Sequence, residues 1–172
     1  MRNLVNVEHP FEPIYDENST ILILGSMPSA KSRKTGFYYA HKGNAFWRII
    51  ADICECPVPD TDEEKKRLLL NNHIAIWDVC KNCDIKGSSD SSIKNEIPAD
   101  IPGLLKRAPI QKVYANGKKA ADQYNKFVKQ QTGMDITLLV SSSSARNYDR
   151  KTKKKITEQD KKRIWKETIE LI

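Results

Sequence analysis

Four short apolar segments, separated by stretches of helical periodicity, constrain the fold of this chain more than any other sequence feature. The first, residues 21–24, is wholly apolar and ends at Gly25, which is typical of a strand buried on both faces. The other predicted strands cover residues 73–77, 112–115 and 135–140. Helical patterns begin near Ala45 and Asp60, with a short helix near Pro102 and longer ones over about 118–131 and 158–171.

Strands that alternate with helices predict an α/β fold, with three layers (α/β/α) around a central, mainly parallel four-stranded sheet. The 172 residues fit one domain, and we find no repeat or linker, so we expect a single domain over residues 1–172. No run reaches the ~18 apolar residues of a membrane span, and the first residues lack the apolar core of a secretory signal. We therefore expect a soluble, cytoplasmic, monomeric protein without a membrane partner.

Polar residues follow every predicted strand. Ser26 and Met27 follow the first, Asp78 the second, Asn116 the third, and a run of four serines, 141–144, the last. Because ligands bind at the carboxyl ends of the strands in such sheets, these residues predict a site at one edge.

The positive charge is concentrated next to two of these strand ends. The net charge is +7, yet residues 18–51 contain five basic residues and no acidic one. Residues 141–156 contain six basic residues against Asp149 alone, and the rest of the chain is slightly acidic. This distribution is typical of a surface that binds a polyanion such as nucleic acid.

Several common chemistries are disfavoured. The first loop lacks the glycine patterns of nucleotide-phosphate sites, and no histidine accompanies a nucleophile elbow. Cys80 and Cys83 have the spacing of half a metal site, but Cys54 and Cys56 make a poor second half, so we expect free cysteines, no metal and no cofactor. Hydrolysis by positioned polar groups and plain nucleic-acid binding both remain open.

Residues 25–50, GSMPSAKSRKTGFYYAHKGNAFWRII, resemble the first motif of the uracil-DNA glycosylase superfamily, and most closely its hypoxanthine-DNA (deoxyinosine) glycosylase branch. Further similarities follow in order, with IWDV at 76–79, GSSD at 87–90, YANGK at 114–118 and SSSAR at 142–146. The last resembles thymine/uracil mismatch glycosylases more than the hypoxanthine branch. The resemblance covers nearly the whole chain from residue 21 onward.

The resemblance implies an enzyme that extrudes a damaged nucleotide from DNA and hydrolyses its base–sugar bond. It assigns Asn44 as the catalytic residue that positions water, with a helix cap as its alternative role. It makes Phe46 the ring that stacks on the base, with core packing as its alternative role. It makes Asp78 the reader of the base edge, with a turn cap at the end of the strand as its alternative role. The remaining substrate-binding residues that it implies are Ser26, Met27 and Tyr39.

The two loops would bind the DNA backbone, with Arg146 filling the gap left by the extruded base. The DNA-binding residues implied are Ser29, Lys31, Ser32, Ser142, Ser143, Ser144 and Arg146. Ser29 stands where relatives have glycine, and no lysine is placed for a strand-cutting lyase step.

The sequence therefore predicts a monofunctional DNA glycosylase of base excision repair, acting on hypoxanthine and also on uracil. Its partner would be DNA that contains deaminated bases, either double-stranded or single-stranded. A uracil/thymine mismatch-specific glycosylase and a non-catalytic DNA-binding domain are the alternatives.

Overall fold

The computed structural model describes residues 3–145 and 148–172 of the chain. Its strands are β1 (Val5–Glu8), β2 (Ile21–Gly25), β3 (Ile74–Asp78), β4 (Cys80–Ile85), β5 (Lys94–Pro98), β6 (Lys112–Asn116) and β7 (Ile136–Leu139). Its α-helices are α1 (Ala30–Thr35), α2 (Phe46–Ile53), α3 (Asp62–Asn71), α4 (Ile101–Arg107), α5 (Lys118–Phe127), α6 (Lys129–Thr132) and α7 (Glu158–Thr168). The predicted helix over 118–131 is thus divided into α5 and α6.

The four predicted strands form one sheet in the order β3-β2-β6-β7, with every pairing parallel. Gly25 lies opposite Asp78, and Leu24 lies opposite Ala115, one residue before Asn116. The register therefore brings the ends of three strands to one edge of the sheet.

Side chains from β2 alternate between two apolar layers. Ile21 and Ile23 belong to the cluster that contains the buried faces of α2, α3 and α7, including the fully buried Trp165. Leu22 and Leu24 belong to the opposite cluster with residues of α4 and α5. Helices on both faces of the parallel sheet confirm the predicted three-layer α/β/α class.

A second sheet was not predicted. Strands β1, β4 and β5 form an antiparallel sheet in the order β1-β4-β5. The sequence pattern predicts no strand at β5. This strand pairs by backbone hydrogen bonds while exposing most of its side chains, so it lacks the apolar pattern that signals a strand.

Local signals define several helix starts. Thr61 and Glu64 form a capping box at α3, and Thr157 and Asp160 form another at α7. Pro102 lies in the first turn of α4, as predicted. Among the described residues, no helix is long and apolar enough to cross a membrane.

Candidate active site

A cavity of about 300 Å³ opens at the carboxyl edge of the parallel sheet. It is lined by residues that follow β2, β3, β6 and β7, and by the segment that precedes α2. Its volume lies at the lower end of the range for small-molecule sites, about 300–1,000 Å³. The cavity lies at the edge of the sheet where the sequence predicts a site.

Asn44 lines this cavity. Its Oδ1 accepts a hydrogen bond from the backbone N–H of Phe46, the first residue of α2, at 3.0 Å. A carbonyl oxygen has two lone pairs, so the same atom can also accept from a water molecule in the cavity. The helix-start role and the water-positioning role are thus compatible at Asn44.

Tyr38 and Tyr39 line the cavity and Phe46 does not, and Tyr39 is the less buried of the two tyrosines. The Phe46 ring is fully buried between Tyr39, whose centroid lies 3.9 Å away, and Trp165 at 6.0 Å. The prediction for Phe46 is corrected accordingly, because the start of α2 directs this ring into the core. Tyr39 has a positive φ of 51°, an uncommon conformation for a non-glycine residue that recurs at functional sites.

The hydroxyl of Tyr39 is buried and makes no hydrogen bond of normal geometry with the described residues. Burial, and next the charge of Asp78, raise the pKa of Tyr39. The same two causes raise the pKa of Tyr38, whose hydroxyl donates to the Glu12 carbonyl at 2.8 Å. Both phenols therefore stay neutral at physiological pH.

Asp78 lines the cavity and is only 3% exposed. One carboxylate oxygen, Oδ2, lies 2.7 Å from Nε2 of His9. The other, Oδ1, lies over Gly25, where a Cβ atom would approach it to 2.2 Å. Glycine at position 25 therefore makes room for this carboxylate.

Ser26 and Met27 also line the cavity, as predicted for substrate-binding residues. The Ser26 hydroxyl donates to Oδ1 of Asp90 at 2.7 Å, which orients a second carboxylate of the cavity wall. Met27 packs with the buried Cys80 and Cys83 and closes the wall with apolar atoms.

The serine loop is held in place by Ser142. The Asn116 amide donates to the Ser142 hydroxyl at 2.8 Å, and Asn116 Oδ1 accepts from the Ser142 N–H at 2.9 Å. Ser142 is 1% exposed, so its predicted phosphate contact is corrected to a structural role. Ser143 is partly exposed, Ser144 is exposed, and the buried Lys161 donates to the Ser143 carbonyl at 2.9 Å.

The first loop, like the serine loop, contains both residues with structural contacts and residues that are exposed. Ser29 caps α1 by accepting from the Ser32 N–H at 3.1 Å. Ser32 is 1% exposed and accepts from the Ala40 N–H at 3.0 Å, so its predicted phosphate contact is also corrected to a structural role. Lys31 is exposed, whereas the Arg33 guanidinium donates to the backbone carbonyls of Pro28 and Gly87.

Arg48 is already paired, through a two-pronged contact with Glu158 at 2.8 and 3.0 Å. The lysines of the second basic segment (Lys151, Lys153, Lys154 and Lys155) are exposed. Arg146, the predicted filler of the base gap, lies outside the described residues.

All four cysteines are free thiols. Burial raises the pKa of Cys54 to about 11 and raises that of Cys80 further, so neither is a thiolate at neutral pH. Within residues 3–145 and 148–172, no three metal-ligating side chains gather into a potential metal site.

Sequence reasoning missed His9 and gave no role to Asp90. His9 and Asp78 are 69 residues apart in the sequence. His9 also follows a strand whose side chains are mostly exposed, so no local sequence pattern predicts its contact with Asp78. Asp90 had a usable signal, since it ends the GSSD segment that matched the family pattern.

An α/β/α fold with a polar, tyrosine-lined cavity of about 300 Å³ at the ends of its parallel strands defines a class of α/β proteins that bind ligands at the carboxyl edge of the sheet. The family model described as "Uracil DNA glycosylase superfamily" matches residues 12–168. The chain belongs to this superfamily.

Two curated relatives and one solved structure are similar to this chain over most of its length. A protein named "Hypoxanthine DNA glycosylase" from Methanosarcina acetivorans is 37% identical over 141 residues, which cover 81% of this chain and 88% of the relative. A protein of the same name from Methanosarcina barkeri is 35% identical over 146 residues, covering 84% and 91%. The solution NMR structure of a Methanosarcina acetivorans protein assigned to the uracil DNA glycosylases superposes with a TM-score of 0.75 at 32% identity, covering 95% and 98%.

Proposed function

We propose that this protein is a monofunctional DNA glycosylase of base excision repair that hydrolyses the N-glycosidic bond of deaminated nucleotides, with hypoxanthine as its main substrate base and uracil as a second. The superfamily membership and the names of the Methanosarcina relatives support this proposal. The observation that carries it is that Asn44, Tyr39 and Asp78 line one cavity.

These three residues supply complementary functions. The Tyr39 ring offers a flat face for stacking, held from behind by Phe46. Asp78 offers a carboxylate oxygen to a base edge, and Asn44 offers an amide oxygen for a water molecule. A non-catalytic DNA-binding domain would need the basic loops but not this arrangement.

The reaction follows from these positions. Water attacks C1′ of the extruded nucleotide while the bond between C1′ and the base nitrogen breaks. The base leaves with the electron pair of that bond, and the proton that the attacking water loses ends on the departing base. The sugar is cation-like at the transition state, so a correctly held water molecule lowers the barrier. An amide oxygen is too weakly basic to take up a proton at neutral pH, so Asn44 orients and polarises the water without deprotonating it.

The substrate range follows from an edge that hypoxanthine and uracil share. Each carries a ring N–H beside a carbonyl, and a carboxylate such as that of Asp78 accepts from this N–H. Thymine shares the edge but adds a methyl group, so a mismatch activity on thymine requires space beyond that edge.

The DNA contacts are assigned to exposed groups. Ser144 is exposed, Ser29 and Ser143 are partly exposed, and all three line the cavity. The exposed Lys31 lies in the first turn of α1, two residues after Ser29. Arg146 remains the proposed filler of the base gap. We propose that the protein acts as a monomer, and we place this activity on DNA in the cytoplasm.

Duplexes with a single hypoxanthine, uracil or mismatched thymine test the proposal directly. We expect the purified protein to convert hypoxanthine sites to alkali-labile abasic sites fastest, uracil sites more slowly, and to leave the strand intact without alkali. Preferred release of thymine would instead support the mismatch enzyme. Salt-sensitive binding without any abasic product would support a DNA-binding domain.

A further inference from the structure

His9 and Asp78 form a buried pair beside the cavity. Their side chains are each 4% exposed, with Nε2 of His9 and Oδ2 of Asp78 2.7 Å apart. His9 follows β1 of the antiparallel sheet, where its backbone N–H donates to the Lys81 carbonyl at 2.8 Å. Asp78 ends β3 of the parallel sheet. The pair thus links the two sheets at the proposed base site.

The surroundings of His9 favour one tautomer. Its Nδ1 accepts from the Phe11 N–H at 3.5 Å, which leaves the proton on Nε2 and directs that N–H at Asp78. The ring lies against Phe11 and Tyr38, with centroids 4.7 and 5.9 Å away. Oδ2 of Asp78 is therefore occupied, and Oδ1, over Gly25, is the oxygen that can face a base.

A buried carboxylate keeps its charge only when a partner compensates for the lost water. The titratable groups that face Asp78 are His9 from the segment after β1, Tyr38 and Tyr39 from the segment before α2, and Asp90 across the cavity. Of these, only the His9 ring makes a hydrogen bond with a carboxylate oxygen of Asp78, and no lysine or arginine among the described residues pairs with Asp78. His9 is therefore the side chain that compensates the charge of the Asp78 carboxylate.

That charge distinguishes deaminated bases from their parents. Hypoxanthine carries a hydrogen on N1 where adenine has a lone pair, and uracil and cytosine differ in the same way at N3. A fixed carboxylate accepts from the N–H and repels the lone pair, whereas a protonated carboxyl would donate to adenine. A site that leaves a buried polar group unpaired rejects such an analogue strongly.

We propose that His9 is a positioning residue that holds Asp78 as a carboxylate with Oδ1 facing the cavity, and that this pair excludes undeaminated bases, adenine above all. The inference rests on the proposed glycosylase function and extends it to how normal DNA is spared. His9 acts through Asp78 and does not itself touch the base.

The test compares His9→Leu, which removes the hydrogen bond, with His9→Gln, which keeps a donor, and with His73→Gln as a matched control. His73 is exposed at the opposite end of β3. Binding is measured with duplexes that contain 2′-fluoro-deoxyinosine or 2′-fluoro-deoxyadenosine, whose fluorine slows cleavage. Single-turnover hypoxanthine release is measured with the same variants.

We expect His9→Leu to lose about 10- to 100-fold of the preference for hypoxanthine over adenine, the range of a lost hydrogen bond to a charged group. His9→Gln should recover most of the preference, and His73→Gln should match the wild type.

A folded His9→Leu variant with an unchanged preference for hypoxanthine over adenine would overturn the inference. If His9→Leu does not fold, the Asp78→Asn variant tests the inference instead. The amide of Asn at this position can donate to N1 of adenine, so this variant should shift the binding preference toward adenine. An unshifted preference would refute the proposal. A wild type that releases no hypoxanthine would instead defeat the proposed function, so the two failures are distinguishable.

Discussion

The ring of Tyr39 stacks on the ring of Phe46, with centroids 3.9 Å apart and planes inclined by 19°. Phe46 is fully buried, so Tyr39 contributes the accessible face of the stack and Phe46 contributes its support. The two aromatic residues therefore have separable effects on activity and on stability.

Substitutions at the two positions should show this separation. Phe46→Ala should cost about 3–5 kcal/mol of unfolding free energy, as for other buried aromatic side chains. Tyr39→Ala should reduce base release strongly with a smaller loss of stability. Tyr39→Phe should keep stacking and raise stability by about 1 kcal/mol, because it removes a buried hydroxyl without a partner. Denaturant titrations and release assays measure both effects, and a less stable Tyr39→Phe would contradict this account.

Gly25→Ala should abolish most base release. Its Cβ would lie 2.2 Å from Oδ1 of Asp78, so the carboxylate must move away from the cavity. Gly133→Ala, at a surface glycine with open space around it, is the control for a glycine substitution in general, although its φ of +65° adds some strain. Release assays on hypoxanthine duplex measure the effect, and full activity of Gly25→Ala would show that the position of Asp78 is not critical.

Much of this fold was predictable from sequence, because buried parallel strands and amphipathic helices have distinct periodicities. Residues 21–24 and the end of β3 at Asp78 were placed nearly as observed. The polar strand β5 and the short helix α1 were not, because their side chains carry no apolar pattern.

The site was only partly predictable. The motif placed Asn44 and Asp78 at the cavity, since both are fixed by elements that the sequence reveals. The stacking of Tyr39 on Phe46 depends on the backbone conformation of Tyr39, which the sequence does not reveal. The burial of Ser32 and Ser142 depends on how their segments pack in the fold. His9 reaches Asp78 through tertiary structure alone.

Lys31 should contribute a phosphate contact. Lys31→Ala should weaken binding to all duplexes alike and reduce the slope of log affinity against log salt by about 1. Lys106→Ala is the control, because this exposed lysine lies at the end of α4, before the start of β6 and away from the cavity. Fluorescence anisotropy across a salt series measures the slope, and equal slopes for Lys31→Ala and wild type would exclude this contact.

The Arg48–Glu158 pair should give a pH-dependent contribution to stability. The hydrogen bond from Arg48 lowers the folded-state pKa of Glu158 below its usual 4.5. The stabilisation is therefore complete above about pH 4.5 and is lost as the pH falls through the lowered folded-state value. The two side chains are 37% and 38% exposed, so Glu158→Gln should cost only about 0.5 kcal/mol at neutral pH. Urea titrations at neutral and acidic pH check this, and a difference that grows on acidification would contradict it.

The most direct test of the catalytic role is single-turnover release of hypoxanthine by Asn44→Ala, beside Asn125→Ala on the exposed face of α5. We expect Asn44→Ala to release the base about 100- to 1,000-fold more slowly while it binds the duplex nearly as tightly as wild type. Asn125→Ala should behave as wild type. Release by Asn44→Ala at the wild-type rate would contradict the account.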